Sequence, residues 1–170
     1  GDGDRCLLIE ATSKSLRVVD GDRLCDDFLR AVALNDDRAW KMAASIESDL
    51  GLTADLMRFA ANHAALTTAV GDRWLSDALS PCQIVSKKVP AIIGTEDSGH
   101  LVMAAPCPVH DETWNLVGDG AATLLAALMS RMCLSDNEGV TAFQNGWKKR
   151  VSIQPSEREK WTGDNELART

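Results

Sequence analysis

Hydrophobic and polar positions alternate most clearly around Asn145-Gly146, a dipeptide typical of the two-residue turn of a β-hairpin. Counting outward from this turn, one face of the predicted strands holds Val140, Ala142, Trp147, Val151 and Ile153. The other face holds Thr141, Lys148, Arg150 and Ser152. The pattern predicts an antiparallel hairpin with one buried face. A second hairpin is predicted from Ile92-Ile93 to Leu101-Val102-Met103, with the loop at Glu96-Asp97-Ser98-Gly99.

Spacings of three and four residues predict a helix between the two hairpins, from about Asp111 to Met132. Its apolar stripe is Trp114, Val117, Ala121, Leu124, Leu128 and Met132. The same spacing predicts four helices earlier in the chain. Their apolar positions run over 24–32, 39–50, 56–70 and 74–79, and Asp20 or Asp22 caps the first. Two short strands at 6–10 and 16–19 precede them.

These elements predict an α+β fold, with a helical N-terminal half followed by a small antiparallel sheet that a long helix covers. We place a soft boundary at Gly71. Residues 1–71 then form a mostly helical region with a short strand pair, and residues 72–170 form a mixed α+β region in the order αββαββ. A single compact domain is the alternative for a chain of 170 residues.

Composition narrows the classes of partner and the compartment. A net charge of −7 and a pI near 4.9 weigh against nucleic acid or an anionic membrane as the main partner. No run approaches the ~18 apolar residues of a membrane span, and no signal segment opens the chain. Five scattered cysteines then indicate free thiols. We therefore expect a cytoplasmic protein.

His100, Cys107 and His110 are the candidate metal ligands. One thiolate and two imidazoles supply the three protein ligands of a catalytic zinc site, which keeps a fourth position open. The alternative is structural, because Pro106-Cys107-Pro108 also suits a rigid exit from a strand.

Gly118-Asp119-Gly120 is the candidate cofactor site. It could hold a phosphate at a helix N-terminus if residues 113–117 are a strand. The stretch resembles the thiamine-diphosphate-binding motif, in which Gly-Asp-Gly is followed some two dozen residues later by Asn. The resemblance implies that Asp119 and Asn145 hold the metal that binds the diphosphate. In the alternative, the helical stripe continues through both glycines and Asn145 belongs to the hairpin turn.

Residues from about Asp72 to Ile153 resemble the Roadblock family of dynein-light-chain-like modules. The resemblance rests on V-P-A-I-I-G-T-E-D-S-G-H-L-V-M-A-A, on A-A-T-L-L-A-A-L-M-S-R-M and on G-V-T-A-F-Q-N-G-W-K-K-R-V-S-I-Q-P. It implies a dimeric scaffold or regulator that lacks catalytic residues.

The favoured hypothesis is a non-catalytic protein-protein interaction or regulatory module without a cofactor. It would act as a homodimer or complex subunit, and bind neither nucleic acid nor membrane. The rival hypothesis is a small enzyme or sensor, with its site at His100, Cys107 and His110 or at Gly118 to Gly120. Metal analysis separates the favoured hypothesis from the metal site, and whether residues 113–117 are helix or strand bears on the site at Gly118 to Gly120.

Overall fold

A mixed six-stranded sheet forms the centre of the protein in a computed structural model that describes residues 2–34, 36–56, 64–80, 84–135 and 141–146. The elements follow in the order β1 (Leu8–Ala11), β2 (Leu16–Val19), α1 (Gly21–Ala33), β3 (Lys41–Ser45), α2 (Leu50–Asp55), β4 (Ala64–Thr68), α3 (Asp72–Leu79), β5 (Ile84–Val85), β6 (Ile92–Thr95), β7 (Leu101–Pro106), β8 (Thr113–Gly118) and α4 (Gly120–Ser135). The strand order of the sheet is β4-β3-β6-β7-β8-β5. Strands β4, β3 and β6 are parallel, while β7, β8 and β5 continue the sheet in antiparallel pairs.

Helices cover both faces of the central strand β3. Its short apolar run K-M-A-A-S is therefore buried on both sides. Met42 and Ala44 belong to the main core, which α1 completes with Leu24 and Leu29. Ala43 points to the opposite face and packs with Leu75 and Leu79 of α3. Among the described residues, no helix is both long and apolar enough to cross a membrane.

Several predicted elements are present. Strands β1 and β2 form an antiparallel pair, and α1 begins after Asp20, whose carboxylate accepts a hydrogen bond from the Arg23 N–H at 3.0 Å. Helix α3 covers the predicted 74–79 helix. The hairpin of β6 and β7 has its loop at Glu96 to Gly99, with Gly99 at φ +91°.

The prediction of a helical N-terminal half followed by a small antiparallel sheet is wrong. Residues 41–45 and 64–68, which helical spacing assigned to the second and third helices, are strands of the central sheet. A strand buried on both faces lacks polar-apolar alternation, so a short apolar run fits either structure. The sheet takes strands from both sides of Gly71.

The predicted helix over 111–132 is divided into two elements. Residues 113–118 form β8, and α4 begins only at Gly120. The face of α4 that packs inward is lined by Thr123, Ala127 and Ser130, while the predicted stripe residues Leu124, Leu128 and Met132 are 39–70% exposed. Small side chains allow α4 to approach α1 closely, which the helical stripe did not indicate.

The predicted hairpin at Asn145-Gly146 is described only in part. Residues 141–146 contain no strand, although Phe143 is buried and its carbonyl accepts a hydrogen bond from the Arg23 guanidinium at 2.8 Å. Val140 and the residues from Trp147 onward lie outside the described residues.

Candidate functional site

The candidate site lies at the carboxyl ends of the parallel strands β3 and β6. The chain leaves the carboxyl end of β3 through α2 and returns as β4, the neighbour of β3 away from β6. The chain leaves β6 in the opposite direction and returns as β7, the neighbour of β6 away from β3. Ligands of such sheets bind in the crevice where neighbouring connections leave in opposite directions. A cavity of about 670 Å³ is found here, lined by Leu7, Val18, Asp20, Asp22, Glu47, Asp49, Asp97, Ser98, Asn145 and Gly146.

Buried hydroxyl groups end both strands. Ser45 is the last residue of β3 and Thr95 the last residue of β6, and the two residues are 3% and 0% exposed. Neither Ser45 Oγ nor Thr95 Oγ1 has a hydrogen-bond partner among the described residues. A buried hydroxyl without a partner costs free energy. Both hydroxyls therefore mark polar strand ends next to the loops that line the cavity.

The turn from Glu96 to His100 presents the chemical groups at this edge. The Glu96 N–H donates to the His100 carbonyl at 2.9 Å, and the Gly99 N–H donates to the Glu96 carbonyl at 3.1 Å. The carboxylate of Glu96 accepts hydrogen bonds from the Gly71 N–H and, at 3.3 Å, from Ser98 Oγ. The buried Glu96 carboxylate is thus held in a fixed position, and it bonds to the half-exposed Ser98 hydroxyl, whose residue lines the cavity.

An acidic loop, residues 2–5, packs against this turn. The Cys6 N–H donates to the Gly99 carbonyl at 2.9 Å, and the Gly120 N–H donates to the Gly3 carbonyl at 2.8 Å. The loop lines a second cavity of about 400 Å³ with Asp2, Gly3, Asp4 and Arg5. A hydrogen bond with the Asp4 side chain is the main cause that lowers the pKa of the exposed Asp2 carboxyl.

His100 connects the acidic loop to the sheet. The residue is 4% exposed, and its Nδ1 lies 3.9 Å from Asp4 Oδ2. Its Nε2 has no hydrogen-bond partner within the described part of the chain. A Cβ added to Gly118 would lie 1.9 Å from Nε2, so only glycine leaves room for the imidazole on β8.

The structure does not bring the three predicted metal ligands together. His100 precedes β7 and Cys107 follows it, which separates them by on the order of 20 Å for a strand of this length. His110 is exposed in the turn at the Cys107 end. No group of three or more His, Cys, Asp or Glu side chains that could hold a metal ion occurs among the described residues.

The residues of the predicted cofactor site have protein partners. The Asp119 carboxylate accepts a hydrogen bond from the Ala122 N–H at 2.9 Å and so caps α4, while the Gly120 N–H is bonded to Gly3. The side-chain oxygen of Asn145 accepts a hydrogen bond from Arg23. Thiamine diphosphate binding at Gly118, Asp119, Gly120 and Asn145 stays a prediction, although 113–117 is the strand that a phosphate site there required.

Sequence reasoning missed the groups that line the observed site. It assigned no site to residues 2–5 and interpreted Glu96 to Gly99 as an ordinary hairpin loop. The available signal was the Asp-x-Asp-Arg spacing ahead of a strand, together with Glu and Ser in a loop that directly follows a buried strand. What the sequence does not show is that the two segments lie side by side.

Comparison with known proteins gives phosphoglucosamine mutases among the relatives. The chain is 36% identical over 135 residues to phosphoglucosamine mutase of Mycolicibacterium smegmatis, a match that covers 78% of this chain and 25% of the relative. The enzyme of Corynebacterium diphtheriae is 35% identical over 136 residues, with the same coverage. That of Nocardia farcinica is 36% identical over 146 residues, covering 82% of this chain and 27% of the relative. The chain therefore spans about a quarter of the length of these relatives, and no protein-family model matches it.

Solved structures show the same fold. An N-acetylglucosamine-phosphate mutase of the α-D-phosphohexomutase superfamily, in its substrate complex, matches with a TM-score of 0.56 at 16% identity, covering 82% of this chain and 32% of that one. The Aspergillus fumigatus N-acetylphosphoglucosamine mutase, in complex with GlcNAc-6P and magnesium, also has a TM-score of 0.56, at 14% identity, covering 85% and 32%.

These relatives correct two predictions. The resemblance to the Roadblock family is wrong, because the proteins similar to this chain are phosphohexomutases. The relatives are enzymes, which overturns the prediction of a non-catalytic regulatory module. The helix over 111–132 that contributed to the resemblance is β8 followed by α4.

Proposed function

We propose that this chain is the part of a phosphoglucosamine mutase that binds the sugar phosphate, at the switch-point site between β3 and β6. The identity to phosphoglucosamine mutases over more than three quarters of the chain is the observation that carries the proposal. The convergence of Glu96, Ser98 and the acidic loop at one edge of the sheet supports it. Because the relatives are about four times as long, binding and not turnover is the activity to measure on this chain.

The proposed sugar-binding groups are the Glu96 carboxylate and the Ser98 hydroxyl. Both lie on a turn whose backbone is fixed by hydrogen bonds, so they are positioned before a ligand arrives. Carboxylates accept hydrogen bonds from sugar hydroxyls, and a hydroxyl can donate or accept. The carboxylates of the larger cavity also favour the protonated amine of a glucosamine ligand by charge.

Asp2 and Asp4 fit a magnesium ion. Magnesium prefers hard oxygen ligands and is commonly held by one or two carboxylates together with substrate phosphate. Asp2 and Asp4 line the same cavity, and Arg5 beside them can pair with a phosphate. A bound magnesium ion would neutralise phosphate charge, while Gly3 and Cys6 hold the loop in place through Gly120 and Gly99.

Titration calorimetry or NMR with glucosamine 6-phosphate, with and without Mg²⁺, tests the proposal. We expect Glu96→Gln to weaken binding about tenfold or more, because a hydrogen bond to a charged group contributes about 1.5–3 kcal/mol. Asp4→Asn should remove the Mg²⁺ dependence. Asp111→Asn is the matched control, since this exposed carboxylate lies at the far end of β7 and β8.

Binding of inorganic phosphate with the same affinity as the sugar phosphate would contradict recognition of the sugar. Equal affinity of the wild type and Glu96→Gln, with the circular dichroism spectrum unchanged, would contradict the assigned role of Glu96. A cytoplasmic location and a homodimer stay predictions, which fractionation and light scattering can test.

A further inference from the structure

Helix α4 has its large side chains on the outside. The face that packs against α1 is made of small residues, Thr123, Ala127 and Ser130. The outer face carries five large apolar side chains that are 39–70% exposed, those of Leu124, Leu125, Leu128, Met129 and Met132. A contiguous apolar surface of this kind marks an interaction site, whereas single exposed residues do not.

The spacing of residues on the outer face fits a second helix. Ala121, Leu125, Leu128 and Met132 follow one another at intervals of four, three and four residues. These intervals form one straight apolar seam along a helix, and paired helices meet along such a seam. Helix α4 has 16 residues, so it is about 24 Å long. The seam therefore offers about three helical turns to a partner helix.

The order of side-chain sizes along the seam favours a second copy of α4 in antiparallel orientation. A two-fold axis between Leu125 and Leu128 places each of these leucines opposite the other across the interface. The same axis places Ala121 opposite Met132, so the smallest side chain of the seam faces the longest. In a parallel pair, Ala121 would face Ala121 and leave a gap. The seam is therefore complementary to itself, as a two-fold interface requires.

Charge also favours a second copy at this face. The chain has a net charge of −7, and repulsion between two copies opposes contacts between their acidic surfaces. Within Gly120–Ser135 the charged residue is Arg131, which lies outside the seam and pairs with Asp27 and Glu10 of its own chain. Two α4 helices can therefore pair without bringing carboxylates of the helices together. The cores of protein interfaces are depleted of charged residues in the same way.

We propose that α4 is a homodimer interface, in which the outer faces of two α4 helices pack antiparallel about a two-fold axis. Gly120 at the start of α4 contacts the acidic loop, so the two candidate sites of the dimer lie at opposite ends of the helix pair. The inference does not depend on the proposed function, because no ligand takes part in the contact. One helix face is a small interface, and we expect a dissociation constant of about 1–100 μM.

Sedimentation velocity of the 170-residue chain without ligand, at concentrations on both sides of this range, tests the proposal. We expect a reversible equilibrium between monomer and dimer. Leu125→Lys/Leu128→Lys should weaken the dimer about 100-fold or more, because it places like charges opposite each other across the two-fold axis. Val85→Lys/Val109→Lys is the matched control and should leave the dimer unchanged. These valines are 75% and 76% exposed, on β5 and between β7 and β8.

Disulfide cross-linking tests the orientation of the two helices. Ala121→Cys/Met132→Cys should form an interchain disulfide on mild oxidation, because the antiparallel pair brings these two positions together. The wild type under the same oxidant is the control for the native cysteines. Its half-exposed Cys133 lies near the end of α4, so the antiparallel pair holds the two copies of this thiol apart.

Four outcomes would overturn the proposal. They are a chain that stays monomeric at about 1 mM, a dimer that Leu125→Lys/Leu128→Lys retains with an unchanged circular dichroism spectrum, a dimer that the control variant also dissociates, and a dimer in which Ala121→Cys/Met132→Cys forms no interchain disulfide. Association is measured without sugar phosphate, so failure of the dimer and failure of ligand binding are distinguishable.

Discussion

At Gly120 the backbone of the acidic loop comes so close that a side chain has no space. A Cβ at this position would lie 2.4 Å from the Arg5 carbonyl oxygen and 2.7 Å from the Gly3 carbonyl oxygen. The Gly120 N–H donates to the same Gly3 carbonyl. The first residue of α4 therefore fixes the position of Asp2 and Asp4 through backbone contacts alone.

We expect Gly120→Ala to destabilise the protein by about 1–2 kcal/mol. Alanine favours a helix by about 1 kcal/mol over glycine, but an added group in a tightly packed position costs about 1–3 kcal/mol, and here it meets backbone that cannot rotate away. The displaced loop should also weaken Mg²⁺-dependent binding of the sugar phosphate. Urea unfolding and calorimetry measure the two effects.

Ala122→Gly is the control for Gly120→Ala, because this exposed residue lies in the same helical turn. It should lose about 1 kcal/mol of stability through helix propensity alone and bind as the wild type does. A Gly120→Ala variant that is more stable than the wild type would show that the loop is not held against α4.

At the scale of single elements, the junction of β8 and α4 determines whether residues 113–118 belong to the sheet or to the helix. Trp114, Leu116 and Val117 suit a strand, yet their spacing also continues the apolar pattern of α4. The break occurs at Asp119, whose carboxylate bonds to the Ala122 N–H while its carbonyl accepts hydrogen bonds from the Thr123 N–H and hydroxyl. Asp119 thus begins the helix and ends the strand pairing.

Asp119→Ala should lower the free energy of unfolding by about 1 kcal/mol, the typical cost of losing a helix cap. Asp119→Asn should recover most of this loss, because an amide oxygen can accept the same hydrogen bond. Thermal unfolding of both variants measures the effect. If Asp119→Ala keeps its stability but loses a thermal shift produced by thiamine diphosphate, the carboxylate has a ligand role and not a capping role.

The success of sequence-based prediction varied with the environment of each element. Helix α1 and the β6–β7 hairpin were predictable, because a capping aspartate and a glycine-containing turn are local signals. Strand β3 was not, because Met42, Ala43 and Ala44 face two different cores and leave no alternation to detect. The site was not predictable as a whole, since Glu96 and the acidic loop meet only after the sheet has formed.

At the scale of the whole molecule, one arginine joins three elements. Arg131 of α4 binds Asp27 of α1, with its Nε 2.9 Å from Asp27 Oδ2, and also pairs with Glu10 of β1. Burial lowers the pKa of Arg131, and burial raises the pKa of Asp27 although Arg30 opposes the shift. The ion pairs therefore hold the hairpin against the helices at a cost in desolvation.

Arg131→Met should destabilise the protein by about 1–2 kcal/mol, less than the 3–5 kcal/mol typical of a broken buried pair, because Asp27 keeps Arg30. Deuterium exchange of β1 should become faster. Arg17→Met is the control, since this arginine pairs with Glu10 at an exposed position and should contribute less than about 1 kcal/mol. Equal losses for the two variants would contradict a joining role for Arg131.

The parallel pairing of β3 also bears on how fast the chain folds. Lys41 pairs with Ala64 on one side and with Ile92 on the other, so the central strand cannot be completed until two long segments have closed. The antiparallel meander from β6 to β8 needs only short turns and can form first. High contact order slows the rate-limiting step, and we expect β3 to be inserted late, between a preformed meander and the edge strand β4.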